Sequence, residues 1–371
     1  MGAFIMRIAV IHHSNDTVND YAAYISTLLD HTAAENNYAI KDYDLVRFTK
    51  DRLTEENILL HIIIPATGGF LLKYWYNVKL PLIFKKYAID KTLCLYGSCA
   101  SSGIEQILFF PDIFLLQQAK KMVPWQQLAF RRLKKSTTVA KHIITYSQHA
   151  KKLLEEAFAL DTKKTSVLPY TVSELFKPLE WHDKLYIKSR FAENKEYFIA
   201  VIHGDDEKAF TELLKAFSKF KKWQQSSMQL ILLPKEESFS SAIEEKLDTY
   251  KYKDDVKLVY DAEKKETADL IASAYALLHI AATDADLLPV TAALQSATPV
   301  LAFYTESLDE YCGDAGAILI KEPGYEALGN ELIQLYKNET LRGTLSEAAA
   351  KRAIIFQQKQ YLEHFWQRLN S

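Results

Sequence analysis

An α/β fold of two doubly wound domains is what this 371-residue sequence predicts. Three observations carry that expectation. Short apolar runs, each the size of a buried parallel strand, alternate with helical segments along the chain. The pattern pauses in a polar stretch with two prolines, LPYTVSELFKPLEWHDKLYIKSRFAENKE (168–196), and then restarts. The chain is also too long for one ordinary core and comfortable for two.

The first half offers the strand-sized runs RIAVIHH, YDLVRF, NILLHIIIP, KTLCLYG, QILFF, HIITYS and TSVLPY. Between them lie the helical stretches DYAAYISTLLDHTAAE, LLKYWYNVKLPLIFKKYAI and QQLAFRRLKKSTTVAKH. Ser147 is placed to cap QHAKKLLEEAF, because its hydroxyl can accept from an unpaired amide of the first turn. The second half reads YFIAVIHG, MQLILLP, VKLVYD, ALLHIAA, PVLAFY and AGAILIK as strands. Its helices are EKAFTELLKAFSKFKKW, SAIEEKLDTYK, KETADLIASAY and LPVTAALQSA, and residues 326–369 are almost wholly helical. Phe210, Leu213, Leu214, Phe217 and Phe220 form one stripe at helical spacing, which is expected to be core. The expected domains are 1–178, joined by a C-terminal helix at about 355–371, and 179–354. Ligands of such sheets sit beyond the carboxyl ends of the strands, so a cleft between the domains is the expected site.

Composition narrows the function classes. The opening MGAFIMRIAVIHHS lacks the marks of a signal peptide, and no apolar run approaches the ~20 residues of a membrane helix. Cys94, Cys99 and Cys312 include no C-x-x-C pair; they are expected to be buried thiols in a reducing cytoplasm, with no metal site. Residues 1–178 hold 22 Lys+Arg against 16 Asp+Glu, and the rest of the chain 23 against 31. From Ile113 to Leu154 there are nine Lys/Arg and no acid. That stretch suits either an anionic partner or a solvated helix face. No nucleic-acid recognition motif accompanies it, so no nucleic acid is expected. The Walker, dinucleotide-binding, zinc-protease and serine-hydrolase patterns are all missing from the sequence. Gly68 and Gly69 in ATGGF follow one strand and precede a helix. They suit a phosphate or acceptor loop, or a plain turn.

Residues 142–350 resemble the family 4 glycosyltransferases in four blocks of matching order and spacing. HIITYSQHAKKLLEEAFALDTKKTSVLPYTVSELFKP carries Ser147, Pro169, Phe176 and Pro178 in that family's frame. YFIAVIHGDDEKAFTELLKAF carries Gly204, Lys208, Leu213, Leu214, Ala216 and Phe217. TADLIASAYALLHIAATDADLLPVTAALQSATPVLAF carries Leu270, Ala274, Leu288, Pro289, Val290, Ala293, Pro299 and Val300. SLDEYCGDAGAIL carries Glu310, Gly313, Asp314 and Ala315.

The resemblance implies the GT-B fold: two Rossmann-like domains, acceptor-type first and nucleotide-sugar-binding second, with the last helix crossing back to the first. It implies metal-independent, retaining transfer of a sugar from a nucleotide-sugar co-substrate to a glycan or lipid-linked acceptor. The setting would be cytoplasmic, with peripheral membrane contact through the basic first domain left open. The donor would be bound by Gly204, Lys208, Asp286, Leu287, Leu288 and Thr291, and Asp284 and Asp112 would be catalytic. The chain departs from the family at four places. Asp205 stands where an arginine is usual, and Asp284 replaces the first of two glutamates. Ala292 replaces the second, and Pro111 stands where a histidine precedes Asp112. Lys208 therefore reads as a phosphate ligand or as an ordinary first-turn lysine, and Asp284 and Asp286 as ligands or helix caps. The alternative to an enzyme is a glycosyltransferase-like scaffold that performs no chemistry.

Overall fold

The computed structural model describes residues 6–13, 20–42, 57–65, 69–110, 116, 124–202, 207–235, 241–281, 286–313, 316–356 and 358–370. The chain divides into two compact units. One comprises Met1–Pro169 with Leu362–Ser371, the other Tyr170–Tyr361. Tyr170 belongs to the second unit because its backbone N–H donates to Tyr311 Oη at 2.9 Å. Gln295 Nε2 likewise donates to the Ser173 carbonyl, 3.2 Å away.

The first unit contains a seven-stranded sheet in the order β2-β3-β1-β4-β5-β6-β7. Its strands are β1 (Arg7–His13), β2 (Tyr38–Asp42), β3 (Asn57–Ile64), β4 (Lys91–Cys94), β5 (Glu105–Phe109), β6 (His142–Thr145) and β7 (Thr165–Val167). Every pairing is parallel. The apolar runs of the sequence correspond to these strands, with one exception. Strand β2 carries no such run, because it lies at the sheet edge and exposes Ile40. The expected strand YDLVRF lies outside the described residues. Ser147 does cap the helix Gln148–Phe158, accepting from the Ala150 N–H at 3.0 Å. From Leu362 onward the last helix, Gln358–Asn370, is part of this unit. There Trp366 Nε1 donates to Thr32 Oγ1 at 3.0 Å, and the ring of Phe365 meets Phe109 edge-on.

The second unit contains a six-stranded parallel sheet in the order β10-β9-β8-β11-β12-β13. Its strands are β8 (Tyr197–Ile202), β9 (Gln229–Pro234), β10 (Val256–Leu258), β11 (Ala276–His279), β12 (Val300–Phe303) and β13 (Ala317–Ile320). This is the doubly wound order, in which the first and fourth strands of the unit lie side by side. Phe210, Leu213, Leu214, Phe217 and Phe220 of the helix Glu207–Gln224 are all buried in its core, as their spacing predicts. That helix packs against Tyr325–Lys337, and the close approach requires Gly329: a Cβ there would stand 2.9 Å from Lys219 Cδ and 3.2 Å from the Ala216 carbonyl oxygen. Among the described residues no helix is long and apolar enough to cross a membrane.

Candidate functional site

In the second unit the direction of strand addition reverses between β8 and β11. Loops leaving the carboxyl ends of two such strands diverge, and the crevice they leave is where ligands of this architecture bind. Helix Glu207–Gln224 begins just past the end of β8, and Leu288–Gln295 follows β11. In a parallel β-α-β unit these helix N-termini face the carboxyl edge of the sheet. Their unpaired amides and positive dipole ends favour an anion there. Pro289 in the first turn of the second helix removes an N–H that no carbonyl of the helix would have used.

Lys208 is exposed in the first turn of Glu207–Gln224. The adjacent Glu207 pairs with Lys246 at 3.3 Å, which offsets the negative charge beside Lys208. Asp286 is buried, and its Oδ2 lies 2.5 Å from Lys235 Nζ. Lys235 follows the last residue of β9, and its N–H donates to the Ile202 carbonyl at 3.0 Å. The register β8–β9 thus carries the lysine across to the end of β8. Sequence reading did not single out Lys235; its one signal is its position directly after a strand terminus.

The remaining expected residues divide into three groups. Leu287 is fully buried as the N-cap residue of Leu288–Gln295, and Leu288 is half-buried behind it. Thr291 directs its hydroxyl hydrogen into the helix. It is fully buried, and its Oγ1 donates to the Leu287 carbonyl at 3.0 Å within the helix. Ala292 is buried on the same helix, and no acidic residue occurs from Leu287 to Ser296. Asp112, Gly204, Asp284 and Gly68, with Pro111 and Asp205, lie outside the described residues. Gly69 is the first residue of the helix Gly69–Tyr74.

The first unit has a polar cluster of its own, at the carboxyl end of β1, between β3 and β4. His12 Nε2 lies 2.8 Å from His61 Nδ1, and the two rings stack with centroids 4.9 Å apart. The parallel register sets Val10 beside His61, which puts His12 and His61 on one face of the sheet. His61 Nε2 is 3.1 Å from Asp30 Oδ1. On the opposite face His13 Nε2 lies 2.6 Å from Tyr76 Oη, and its ring meets Tyr96. Burial lowers the pKa of His12 to about 4, with the nearby His61 and His13 adding to the shift. Burial lowers His13 to about 4 as well, helped by Arg132. Both imidazoles are therefore neutral at pH 7, each with one ring nitrogen to donate a hydrogen bond and one to accept. In the sequence His12 and His13 stand at the end of the strand-sized run RIAVIHH. His61 was signalled only as the single polar residue inside NILLHIII, and Asp30, Tyr76 and Tyr96 not at all. Among the described residues no group of three or more His, Cys, Asp or Glu is arranged to hold a metal ion.

Two Rossmann-like units, each with an all-parallel sheet, match the fold of GT-B glycosyltransferases such as WaaG. Residues 183–352, which lie in the second unit, match the family model of the glycosyl transferases group 1. The chain is 26% identical over 197 residues to the O-antigen chain mannosyltransferase RfbU of Salmonella typhimurium. That match covers 52% of this chain and 48% of the relative, so the chain spans about half the length of the curated relative it matches. WaaG, a glycosyltransferase involved in lipopolysaccharide biosynthesis, superposes with a TM-score of 0.73 at 14% identity, covering 97% of this chain and 98% of WaaG. Alr3699/HepE of Anabaena, solved with UDP and glucose, superposes with a TM-score of 0.71 at 12% identity, over 99% of this chain and 100% of its own. At these identities the structural likeness is one of fold.

Proposed function

We propose that this protein is a retaining, metal-independent glycosyltransferase whose nucleotide-sugar donor is held by the second unit. The observation that carries the reading is the β8–β11 switch point, where Lys208 and the N-terminus of Leu288–Gln295 follow the ends of the two strands. Lys208 and the helix amides would take the charge of the leaving diphosphate, the task a metal ion performs in other architectures. The bond from the anomeric carbon to the phosphate oxygen breaks, and a bond to the acceptor oxygen forms on the same face. The acceptor proton passes to the departing phosphate. Asp286 and, beyond the described residues, Gly204 and Asp284 complete the donor site in this reading, and Asp112 keeps the catalytic role that the family resemblance assigns to it.

The relative from Salmonella is an O-antigen chain mannosyltransferase, which makes a mannosyl nucleotide the first donor to test and a glycan or lipid-linked sugar the acceptor class. The UDP bound in the Anabaena protein makes UDP-glucose the second donor. Calorimetry with these donors and with free GDP and UDP tests the proposal. Micromolar binding that falls at least tenfold in Lys208→Ala supports it, since a charge-assisted hydrogen bond contributes about 1.5–3 kcal/mol. One observation favours a second reading, a scaffold without chemistry: Ala292 is buried on a helix with no carboxylate to receive ribose hydroxyls. The lack of any binding at millimolar donor would favour that reading.

A further inference from the structure

The second sheet runs β9-β8-β11, so β8 separates β9 from β11. Lys235 is the first residue after β9, and Asp286 belongs to the connection after β11, two residues before the helix Leu288–Gln295. Yet Lys235 Nζ lies 2.5 Å from Asp286 Oδ2. The register fixes where the lysine starts. Ile202, the last residue of β8, pairs with Pro234, and the Lys235 N–H donates to the Ile202 carbonyl at 3.0 Å. A lysine reaches about 6 Å from Cα to Nζ, more than the roughly 4.8 Å between neighbouring strands. The pair therefore closes over the carboxyl end of β8, at the switch point itself.

The pair is mostly covered, with the lysine side chain 21% exposed and the aspartate side chain 10%. A carboxylate so far from water needs a cation beside it. Asp286 also directly precedes Leu287, the N-cap residue of Leu288–Gln295, whose apolar side chain accepts nothing from the first-turn amides. The carboxylate thus stands at the end of a helix that favours an anion, on a cation of the kind that phosphate takes. Lys208 has less to offer alone, because Asp205, Asp206 and Glu207 come directly before it in the sequence. Holding a diphosphate against three acids calls for a second cation.

We propose that the Asp286 carboxylate is an internal stand-in for the donor's diphosphate. It holds Lys235 across the end of β8 until the donor binds, and a phosphate oxygen then takes its place on Lys235 Nζ. This deepens the donor-site reading of the second unit and rests on it. No covalent bond forms or breaks; one anion exchanges for another on the same ammonium. Lys235 then contributes the positive charge that Asp205 fails to supply, and the released carboxylate accepts from the sugar's hydroxyls. Run backwards, the exchange returns the carboxylate to the lysine as the diphosphate leaves, so neither charge is left covered and alone.

Calorimetry of the full chain with inorganic pyrophosphate, which carries neither nucleoside nor sugar, tests the exchange. Asp286→Asn should bind it about fivefold more tightly than the parent, because the internal competitor is gone. Lys235→Gln/Asp286→Asn should bind about tenfold or more weakly than Asp286→Asn, through the lost charge-assisted hydrogen bond. On the Lys235→Gln background the asparagine should change binding by less than about twofold, since no lysine remains to be released. The double variant covers no lone charge, so it remains testable where Lys235→Gln alone unfolds. Glu207→Gln then supplies the comparison: it removes one negative charge beside Lys208 without releasing Lys235, and should tighten binding by less than about twofold. Circular dichroism and melting temperature check that each variant is folded.

The proposal is overturned if Asp286→Asn binds pyrophosphate like the parent or more weakly, or if neither binds it at millimolar concentration. It is equally overturned if the asparagine tightens binding as much with Lys235 replaced, or if Glu207→Gln tightens it as much as Asp286→Asn. Nucleotide-sugar binding that falls in Lys208→Ala, beside an Asp286→Asn that leaves pyrophosphate binding unchanged, overturns the exchange and leaves the transferase reading standing. The expected pyrophosphate pattern without any nucleotide-sugar binding does the opposite.

Discussion

Acid should loosen the first unit through two neutral histidines. His12 and His13 each titrate near 4 in the folded protein, against an ordinary 6.5. A lowered folded pKa means that the folded state binds fewer protons than the unfolded one, so the stabilisation is present above about pH 6.5 and is lost as pH falls towards 4. Each histidine then costs about 2 kcal/mol between pH 7 and pH 5, and about 3 kcal/mol once both states are protonated. His12 faces His61 and Asp30, and His13 faces Tyr76, Tyr96 and Arg132. Asp30 is the one acid among these named partners, and it sits against His61, two rings from His13. It therefore offsets little of the cost. The assay is urea unfolding at pH 7, 6 and 5 of the wild type and of His12→Gln/His13→Gln. Glutamine keeps a donor and an acceptor but cannot charge, so the variant should lose about 3–4 kcal/mol less than the wild type from pH 7 to pH 5. Parallel loss in the two proteins would refute the reasoning, because it would place the acid sensitivity in other groups.

Two further outcomes follow from the packing. A double-mutant cycle on Lys235→Met and Asp286→Asn should give a coupling of about 1–3 kcal/mol in denaturant unfolding, the lysine change alone being the more damaging because it leaves a buried carboxylate without its cation. Trp366→Ala should destabilise the first unit by about 3–5 kcal/mol, read as faster hydrogen exchange in β1 and β3, since the indole is buried and hydrogen-bonded to Thr32.

Most of the fold was legible because strands buried on both faces must be written as unbroken apolar runs. Strand β11 is ALLH and β12 is VLAF, with every residue buried. Strand β2, YAIKD, escaped for the opposite reason, since an edge strand is only partly covered and Ile40 faces solvent. The candidate site was half legible. Lys208 announces itself by its spacing after a strand and at a helix start, which are local features. That Thr291 Oγ1 donates to the Leu287 carbonyl was not legible, because it depends on a rotamer, which the sequence does not reveal.

By itself the sequence determined the alternation of strands and helices, the restart that divides the chain, the buried stripe of Phe210 to Phe220 and the family frame of residues 142–350. Those follow from periodicity and local spacing. Only the tertiary structure decided that Lys235 reaches Asp286 and that His12 lies against His61. Each depends on which strands become neighbours and in what register, and parallel pairing joins residues dozens of positions apart that no local pattern connects.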